Sequence, residues 1–465
     1  MSKAVHQFDS IDTDLLKKYS RPGPRYTSYP TAPVFSPEFT ADDYLAEVRR
    51  TNNPDDAPPL SLYFHIPFCD TLCYFCGCNM MVTRDRGKIN NYVQYVKREM
   101  DMMRPLIRDD RETVQIAWGG GTPTYLDPDE IRDLAGHTQK LFPFAENIEA
   151  GVEIDPREMT RDHLVALKEG GFNRVSMGVQ DFNPAVQQAV NRIQPEDMTR
   201  EVLDWARDLG FESINLDLIY GLPHQTVESF EHTLERIIDI DPDRIAVFNY
   251  AHVPWLKKHM ALIKGEDLPS PEEKLRITVR TIEMLNAAGY RYVGMDHFAK
   301  PDNELAVAQA NRTLYRNFQG YTTHAGADLY GFGITSIGQF DRMYAQNLKT
   351  LPEYYEAIDA GRPATHVGYL LSRDDLIRRD VIMTLMCDFE LDKRAMEKKW
   401  DITFDEYFAD AYARLQELVD DGIVRIDDDW IRTSDMGVLV IRNVAMAFDA
   451  YLPTQMEKPI FSKTV

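Results

Sequence analysis

The sequence predicts an α/β protein whose parallel sheet is closed or curled into a barrel. Three junctions share one pattern: "LKEGGFNRVSMG", "ARDLGFESINLD" and "LNAAGYRYVGMD". In each, a helical run stops at Gly, which takes the left-handed conformation past a helix end at least cost, and an aromatic leads into an apolar strand. Strand-like runs also recur between amphipathic stretches; "NNYVQYVKREMDMM" places Val93, Val96, Met100 and Met103 on one helical face. Alternating β and α at this length builds a parallel sheet with helices outside.

Taken in order, the expected strands are "LYFHIP" (62–67), "VQIAWGGG" (114–121), "IEAGVEID" (148–155), "RVSMGVQ" (174–180), "SINLDLIYG" (213–221), "RIAVFNYAH" (244–252) and "RYVGMD" (291–296). At 465 residues the chain exceeds one small core. It divides into an N-terminal extension (1–50), a catalytic barrel with flanking elements (51–365) and a C-terminal domain (366–465), with "PDDAPPL" as linker-like sequence. The extension's "RPGPRYTSYPTAP" is rich in Pro and aromatics and orders only by docking. From 366 the order is helix ("SRDDLIRRDVIMTLM"), helix ("FDEYFADAYARLQELVDDG"), hairpin ("IVRIDDDWIRT"), helix ("SDMGVLVIRNVAMAFDAYL"). That order reads as winged-helix-like, and its acidic helix argues for a lid rather than a DNA reader.

Charge narrows the partners. The 52 basic against 74 acidic residues leave −22, which excludes a generic nucleic-acid binder. An anionic substrate would need arginines gathered against that field. No apolar run reaches membrane-spanning length and the N-terminus "MSKAVHQFDS" carries no signal pattern, so a cytoplasmic protein without membrane insertion is expected.

Four of the five cysteines fall in "FCDTLCYFCGC" (68–78), as Cys69, Cys73, Cys76 and Cys78. In a reducing compartment such clustering signals metal ligation or catalysis rather than disulfides. A structural zinc site draws its pairs from separated segments, whereas an iron–sulfur cluster accepts a compact run. Three cysteines on a four-iron cluster would leave one iron open; zinc and redox thiols stay as alternatives. Cys387 in "TLMCDFELD" reads as a buried core thiol.

Barrel chemistry gathers at strand C-termini. There the sequence places His65 and the cysteines, Gly119–Thr122, Glu153 and Asp155, Gln180 and Asp181, Asp217, and Asn249–His252. "WGGGTP" lacks the Lys-Ser/Thr of a phosphate loop, and Pro123 blocks a dinucleotide turn. Its glycines allow close backbone approach, and acidic strand ends suit ribose hydroxyls. An amino-acid group on an open iron, with a ribose beside it, describes S-adenosylmethionine.

These motifs resemble the radical S-adenosylmethionine superfamily, whose mark is C-x3-C-x2-C. More closely, "GPRYTSYPTA", "YFHIPFC", "WGGGTPTYL", "DPRE", "GFNRVSMGVQDFN", "DLIYGLP", "FNYAH", "GMDHFAKPDNELAVAQ", "RNFQGYTT" and "IRRDVI" resemble the oxygen-independent coproporphyrinogen III dehydrogenases (oxidases) almost end to end. The resemblance implies a partial, open (β/α)6-type barrel with an N-terminal extension and a small, mostly α, winged-helix-like C-terminal domain. It implies oxidative decarboxylation of two propionates of coproporphyrinogen III to vinyl groups in heme biosynthesis. Cys69, Cys73 and Cys76 would hold a [4Fe-4S] cluster; Cys78 would act near the substrate, with Tyr63 and His65 in the catalytic set. Two S-adenosylmethionine molecules are implied, the first held by Tyr63, Gly120, Glu153 and Ile337. The second would lie against Phe75, Gly121, Thr122, Gln180, Arg192, Asp217 and Ala251. A monomer served by a small electron-transfer protein such as flavodoxin completes the expectation. Arg21, Arg25, Arg316 and Arg192 are the candidate partners for the substrate carboxylates. The rivals are a radical-S-adenosylmethionine heme chaperone and a heme-modifying radical enzyme, against which stand "CGC" and "PRYTSYP".

Overall fold

The computed structural model describes residues 11–53 and 57–452, with Phe8, Phe461, Lys463 and Thr464. Residues 54–56 of the linker-like segment lie outside the described residues. The centre is a twelve-stranded sheet. Its strands are β1 (Leu60–Ile66), β2 (Thr113–Gly120), β3 (Phe144–Ile154), β4 (Arg174–Gln180), β5 (Ser213–Tyr220), β6 (Arg244–Asn249), β7 (Arg291–Gly294), β8 (His297–Ala299), β9 (Asp328–Phe332), β10 (Ile337–Phe340), β11 (Met343–Asn347) and β12 (Thr365–Leu370). The spatial order is β12-β11-β10-β9-β1-β2-β3-β4-β5-β6-β8-β7.

From β9 to β6 every pairing is parallel, and the flanks are antiparallel. The edge strands β12 and β7 do not pair with each other, so the sheet does not close, which removes the closed-barrel alternative. All seven expected strands form. The seventh, β7, is an antiparallel edge, because only Met295 and Asp296 separate it from β8. A parallel pairing needs a crossover of a dozen or more residues, and two residues permit only a hairpin. Both turn residues have positive φ, 43° and 75°.

The strands alternate with a clear meaning. In β1, Leu60, Leu62, Phe64 and Ile66 are fully buried toward the helices, while Ser61, Tyr63 and His65 face the other way. The same division runs through β3 (Ile148, Ala150, Val152 and Ile154 against Glu149, Gly151 and Glu153) and β5 (Ile214, Leu216 and Leu218 against Ser213, Asn215 and Asp217). The convex side packs on helices such as Arg86–Met103, whose Val93, Val96, Met100 and Met103 are buried as expected. Burying such side chains is worth about 1.5–3 kcal/mol each. The helix Pro128–Leu141 shows the local grammar: Asp127 caps the Glu130 amide, Glu130 answers the Asp127 amide, and Pro128 opens the first turn.

The C-terminal domain has helices Arg373–Asp388, Lys393–Trp400, Phe404–Tyr407 and Ala409–Asp420, a hairpin of Val424–Ile426 with Trp430–Thr433, and helices Asp435–Leu439 and Ile441–Met446. Glu390–Asp392 adds a third strand to the wing. The helix Lys393–Trp400, missing from the sequence reading, starts at Asp392, whose side chain accepts the Ala395 amide at 2.9 Å. Cys387 is 2% exposed, in the core of this domain. The N-terminal helix Thr13–Tyr19 joins the same core through Leu16 and Tyr19. Arg442 donates to the carbonyls of Gly23 and Pro24 and ties the extension to this domain. No helix among the described residues is long and apolar enough to cross a membrane.

Candidate active site

The concave face of β1–β6 encloses a cavity of about 730 Å³. Parallel register lines up polar residues from neighbouring strands: Glu153 beside Ser176, Ser176 beside Asn215, Asn215 beside Arg244. One row of the wall thus carries an acid, a hydroxyl, an amide and a guanidinium. Tyr63, His65, Cys78, Gly120, Glu153, Asp217 and Ile337 all line this cavity. Seven residues singled out in the sequence, from five strands and one loop, therefore converge.

The glycine run does its work by being small. A Cβ on Gly120, where φ is +119°, would lie 2.7 Å from the His65 ring. One on Gly121 would lie 2.6 Å from the Pro67 carbonyl carbon. The Gly120 amide instead donates to Glu153 Oε2 at 3.0 Å. Burial pushes Glu153 up to about 7, with Asp217 and Cys76 adding to it and the Gly120 amide opposing. Burial also raises Asp217 to about 6, against the donors Asn215 and Ser176 and the charge of Arg192. Two carboxyls poised near neutrality share one wall, fit to accept hydroxyl or ammonium donors from a ligand. His65 donates Nε2–H to the Asn79 carbonyl at 2.8 Å, leaving Nδ1 to face the Tyr63 hydroxyl at 3.3 Å. Burial lowers its pKa, so the ring is neutral at pH 7.

The cysteine loop lies at the end of β1. Cys69 Sγ is 3.5 Å from Thr122 Oγ1, and the Thr122 amide donates to the Phe68 carbonyl. Cys73 Sγ faces Arg157 Nη2 at 3.5 Å and Arg192 Nη1 at 3.7 Å. The carbonyls of Cys76 and Cys78 accept from His259 Nε2 at 2.8 Å and Lys257 Nζ at 2.9 Å. The neighbouring Cys78 thiol, with Lys257 and His259 nearby, favours the thiolate form of Cys76. Cationic donors around closely spaced sulfurs suit a thiolate-bound iron–sulfur cluster.

Other expected residues take different places. Phe75, Gly121, Thr122, Gln180, Arg192 and Ala251 lie outside the cavity lining. Phe75 packs on a small core of Val186, Val190, Leu222, Tyr250, Met260 and Ile263. Gln180 has φ +70° and a buried Oε1 without a hydrogen-bond partner. Arg192 faces Asp155, Gly178, Gln194 and Cys73. Asp155, expected at the rim, turns to Arg157 and Arg192; burial would raise it, yet the two guanidiniums hold it at about 2. Asp181 is likewise structural, accepting from Thr233 and Gln225 at 2.6 Å. Arg21 pairs with Glu417 on the C-terminal domain, and Arg25 with Asp296 at 2.5 Å. Arg316 is 3% exposed over the Tyr321 ring, and its Nε and Nη1 have no partner.

Comparison with known proteins places this geometry. The Radical SAM superfamily model matches residues 63–237 and the HemN C-terminal domain model matches 371–440. The oxygen-independent coproporphyrinogen III oxidase of Escherichia coli (strain K12) is 48% identical over 462 residues, 99% of this chain and 100% of that protein. The chain belongs to the oxygen-independent coproporphyrinogen III oxidase family. A second family member, from Synechocystis, is 46% identical over 459 residues, 98% of each chain. The solved radical SAM coproporphyrinogen III oxidase (HemN) of Escherichia coli superposes with TM-score 0.91 at 47% identity, covering 96% of this chain and 100% of that one. Within this family fold, the sequence reading missed the inward face below the rim: Gln115, Glu149, Arg174, Asn215 and Arg244 also line the cavity. Their signal was present, since polar residues alternate with apolar ones in strands of a parallel sheet, where both faces are normally apolar.

Proposed function

We propose that this protein catalyses the oxygen-independent oxidative decarboxylation of two propionates of coproporphyrinogen III, giving protoporphyrinogen IX in heme biosynthesis. The observation that carries the reading is the end-to-end likeness to this oxidase family, joined to a three-cysteine loop beside one polar cavity. When bound, the cluster and S-adenosylmethionine supply a carbon radical able to remove a hydrogen atom. Each propionate loses one hydrogen atom, carbon dioxide and one further electron in becoming a vinyl group.

The chain's own residues bind, orient and shelter. Tyr63, Gly120, Glu153 and Ile337 support a first S-adenosylmethionine, as their shared cavity suggests. Phe75, Gly121, Thr122, Gln180, Arg192, Asp217 and Ala251 are the proposed contacts of a second. The Glu153 carboxyl suits the cofactor's polar end, and neutral His65 and Tyr63 hold the wall beside Cys78. Arg316 supplies buried positive charge for a propionate, because an unpaired buried guanidinium is costly until a carboxylate meets it. We further propose a monomeric cytoplasmic enzyme with the three-part division at 1–50, 51–365 and 366–465, the first and last parts covering the cavity, and a flavodoxin-like reductant.

Anaerobic incubation of the cluster-loaded protein with S-adenosylmethionine, dithionite and coproporphyrinogen III tests this. The expected product is protoporphyrinogen IX with two carbon dioxide released per molecule. Heme binding without turnover would instead support the chaperone reading.

A further inference from the structure

His297, at the start of β8, faces the cavity but has no part in the chemistry proposed for it. It is partly exposed, and the space it lines is the cavity. Antiparallel register sets it beside Ala246 of β6, and Ala246 lies beside Asp217 of β5, so His297 extends the Asp217 row of the wall. Its Nδ1 is 2.6 Å from the carbonyl of Met295 in the link between β7 and β8. A carbonyl only accepts, so Nδ1 carries the hydrogen and Nε2 of the neutral ring offers a lone pair. Among the described residues the Met295 bond is the one side-chain hydrogen bond of His297. The Nε2 lone pair is left to the cavity.

The surroundings keep this ring neutral and select the donor it can meet. Burial first, and the charge of Arg316 next, lower His297 to about 4, against Asp296 and the Met295 carbonyl. Tyr321 and Phe248 stand edge-on to the imidazole, with centroids 5.4 and 5.7 Å away. The Arg316 guanidinium lies over the same Tyr321 ring at 4.8 Å, and its Nε and Nη1 have no partner. An ionised carboxylate has no hydrogen to give Nε2. An ammonium or sulfonium would meet the uncompensated charge of Arg316. What fits is an uncharged N–H donor on a flat apolar ring, which the aromatic edges also suit. A pyrrole of a porphyrinogen is such a group, and so is the amine of an adenine. Arg316 favours the first: a substrate carboxylate drawn to that guanidinium brings its pyrrole past Tyr321, whereas the adenine end of the cofactor carries no anion.

We propose that His297 Nε2 accepts a hydrogen bond from a pyrrole N–H of the bound porphyrinogen and so sets the depth and tilt of the macrocycle in the cavity. The proposal rests on the functional reading above and adds a residue that orients the ring itself. Propionates hang from the rim on flexible arms, so pairing them with arginines fixes the ring plane poorly. The saturated bridges of a porphyrinogen let a pyrrole tip its N–H out of the plane, toward an acceptor on the wall.

The test uses the full-length, cluster-loaded protein under anaerobic conditions, with coproporphyrinogen III and S-adenosylmethionine as probes. Two variants divide the imidazole between them. In His297→Asn the amide nitrogen stands where Nδ1 was and keeps the Met295 carbonyl, with nothing at Nε2. In His297→Gln the amide oxygen stands where Nε2 was, and the Met295 bond is given up. Equilibrium dialysis gives both dissociation constants, and turnover gives deoxyadenosine formed per carbon dioxide released. The expected result is coproporphyrinogen III binding about fivefold weaker in His297→Asn and within about twofold of the wild type in His297→Gln. His297→Asn should also form more deoxyadenosine per carbon dioxide, since a misplaced substrate meets the radical less often. Iron content and S-adenosylmethionine affinity should stay as in the wild type.

Unchanged substrate affinity in His297→Asn would overturn the proposal. A greater loss in His297→Gln than in His297→Asn would do the same and give the residue to the Met295 turn. So would weaker S-adenosylmethionine binding in His297→Asn with substrate binding retained, which would give Nε2 to the adenine. If substrate affinity follows the expected pattern but the wild type releases no carbon dioxide, the acceptor stands and the functional reading is refuted.

Discussion

Glu153 and Gly120 are locked to each other across adjacent strands: the Glu153 carboxylate accepts the Gly120 amide at 3.0 Å, and Gly120 holds a φ of +119°. The His65 ring fills the space a Cβ on Gly120 would need. Three strands thus meet at one point of the cavity wall, and each residue depends on the other two.

Glu153→Ala should raise the S-adenosylmethionine concentration needed for half-maximal binding while leaving iron content intact. The Gly120 amide then loses its charged acceptor, worth about 1.5–3 kcal/mol. Equilibrium binding of the cofactor to the cluster-loaded variant decides it. An unchanged dissociation constant would remove Glu153 from the cofactor site.

The cysteines are expected to separate by role. Cys69→Ser, Cys73→Ser and Cys76→Ser should each lose the four-iron cluster in anaerobically purified protein. Cys78→Ser should retain it and lose turnover, because Cys78 lines the cavity. Iron and sulfide analysis beside the visible spectrum gives the answer, and iron loss in Cys78→Ser equal to that in Cys76→Ser would reverse the assignment.

Tyr92 joins two parts of the wall from behind. Its hydroxyl donates to the His65 carbonyl at 2.7 Å and accepts the Ile334 amide at 3.0 Å. Tyr92→Phe leaves both backbone groups without this partner and should cost about 1–3 kcal/mol of stability. It should also weaken S-adenosylmethionine binding, since His65 and Ile337 flank the released contacts. Denaturant unfolding and cofactor titration read the two effects separately.

Glu99 on the same helix is buried, and that burial raises it to about 7 against donors from Gly333, Tyr354 and Asn347. Its folded pKa lies above the unfolded value of about 4.3, so the folded state holds the proton more tightly. Stability from this group is present below about pH 4.3 and is lost as pH rises toward 7. Glu99→Gln should therefore gain on the wild type between pH 5 and 8, by up to about 3 kcal/mol. Parallel stability curves for the two proteins would contradict the assignment.

Arg316→Gln should weaken coproporphyrinogen III binding by about 1.5–3 kcal/mol, with iron content unchanged. Arg21→Ala should not, because Arg21 is spent on Glu417 at the surface. Substrate dissociation constants of the two variants, side by side, distinguish a buried cation that serves the ligand from one that serves the fold.

The sequence by itself determined seven of the twelve sheet strands, the cysteine loop and the rim of the cavity. Glycine stops at helix ends and two-residue alternation are local properties, so β1 to β7 and the helix Arg86–Met103 could be located without tertiary information. Cys69, Cys73 and Cys76 could be singled out as candidate ligands because their short spacing is written along the chain. Tertiary structure decided what depends on contacts between distant segments. Asp155 and Asp217 look alike as strand-end acids, yet Arg157 and Arg192 hold one at about 2 while burial lifts the other to about 6. Arg21 and Arg25 lie four residues apart, yet one pairs with Glu417 and the other with Asp296. The two-residue link between β7 and β8 makes that edge an antiparallel hairpin, and the sheet stays open because its edge strands β12 and β7 do not pair with each other. An ionisable group's role is set by which charges fold against it, and that is a property of the fold rather than of the neighbouring letters.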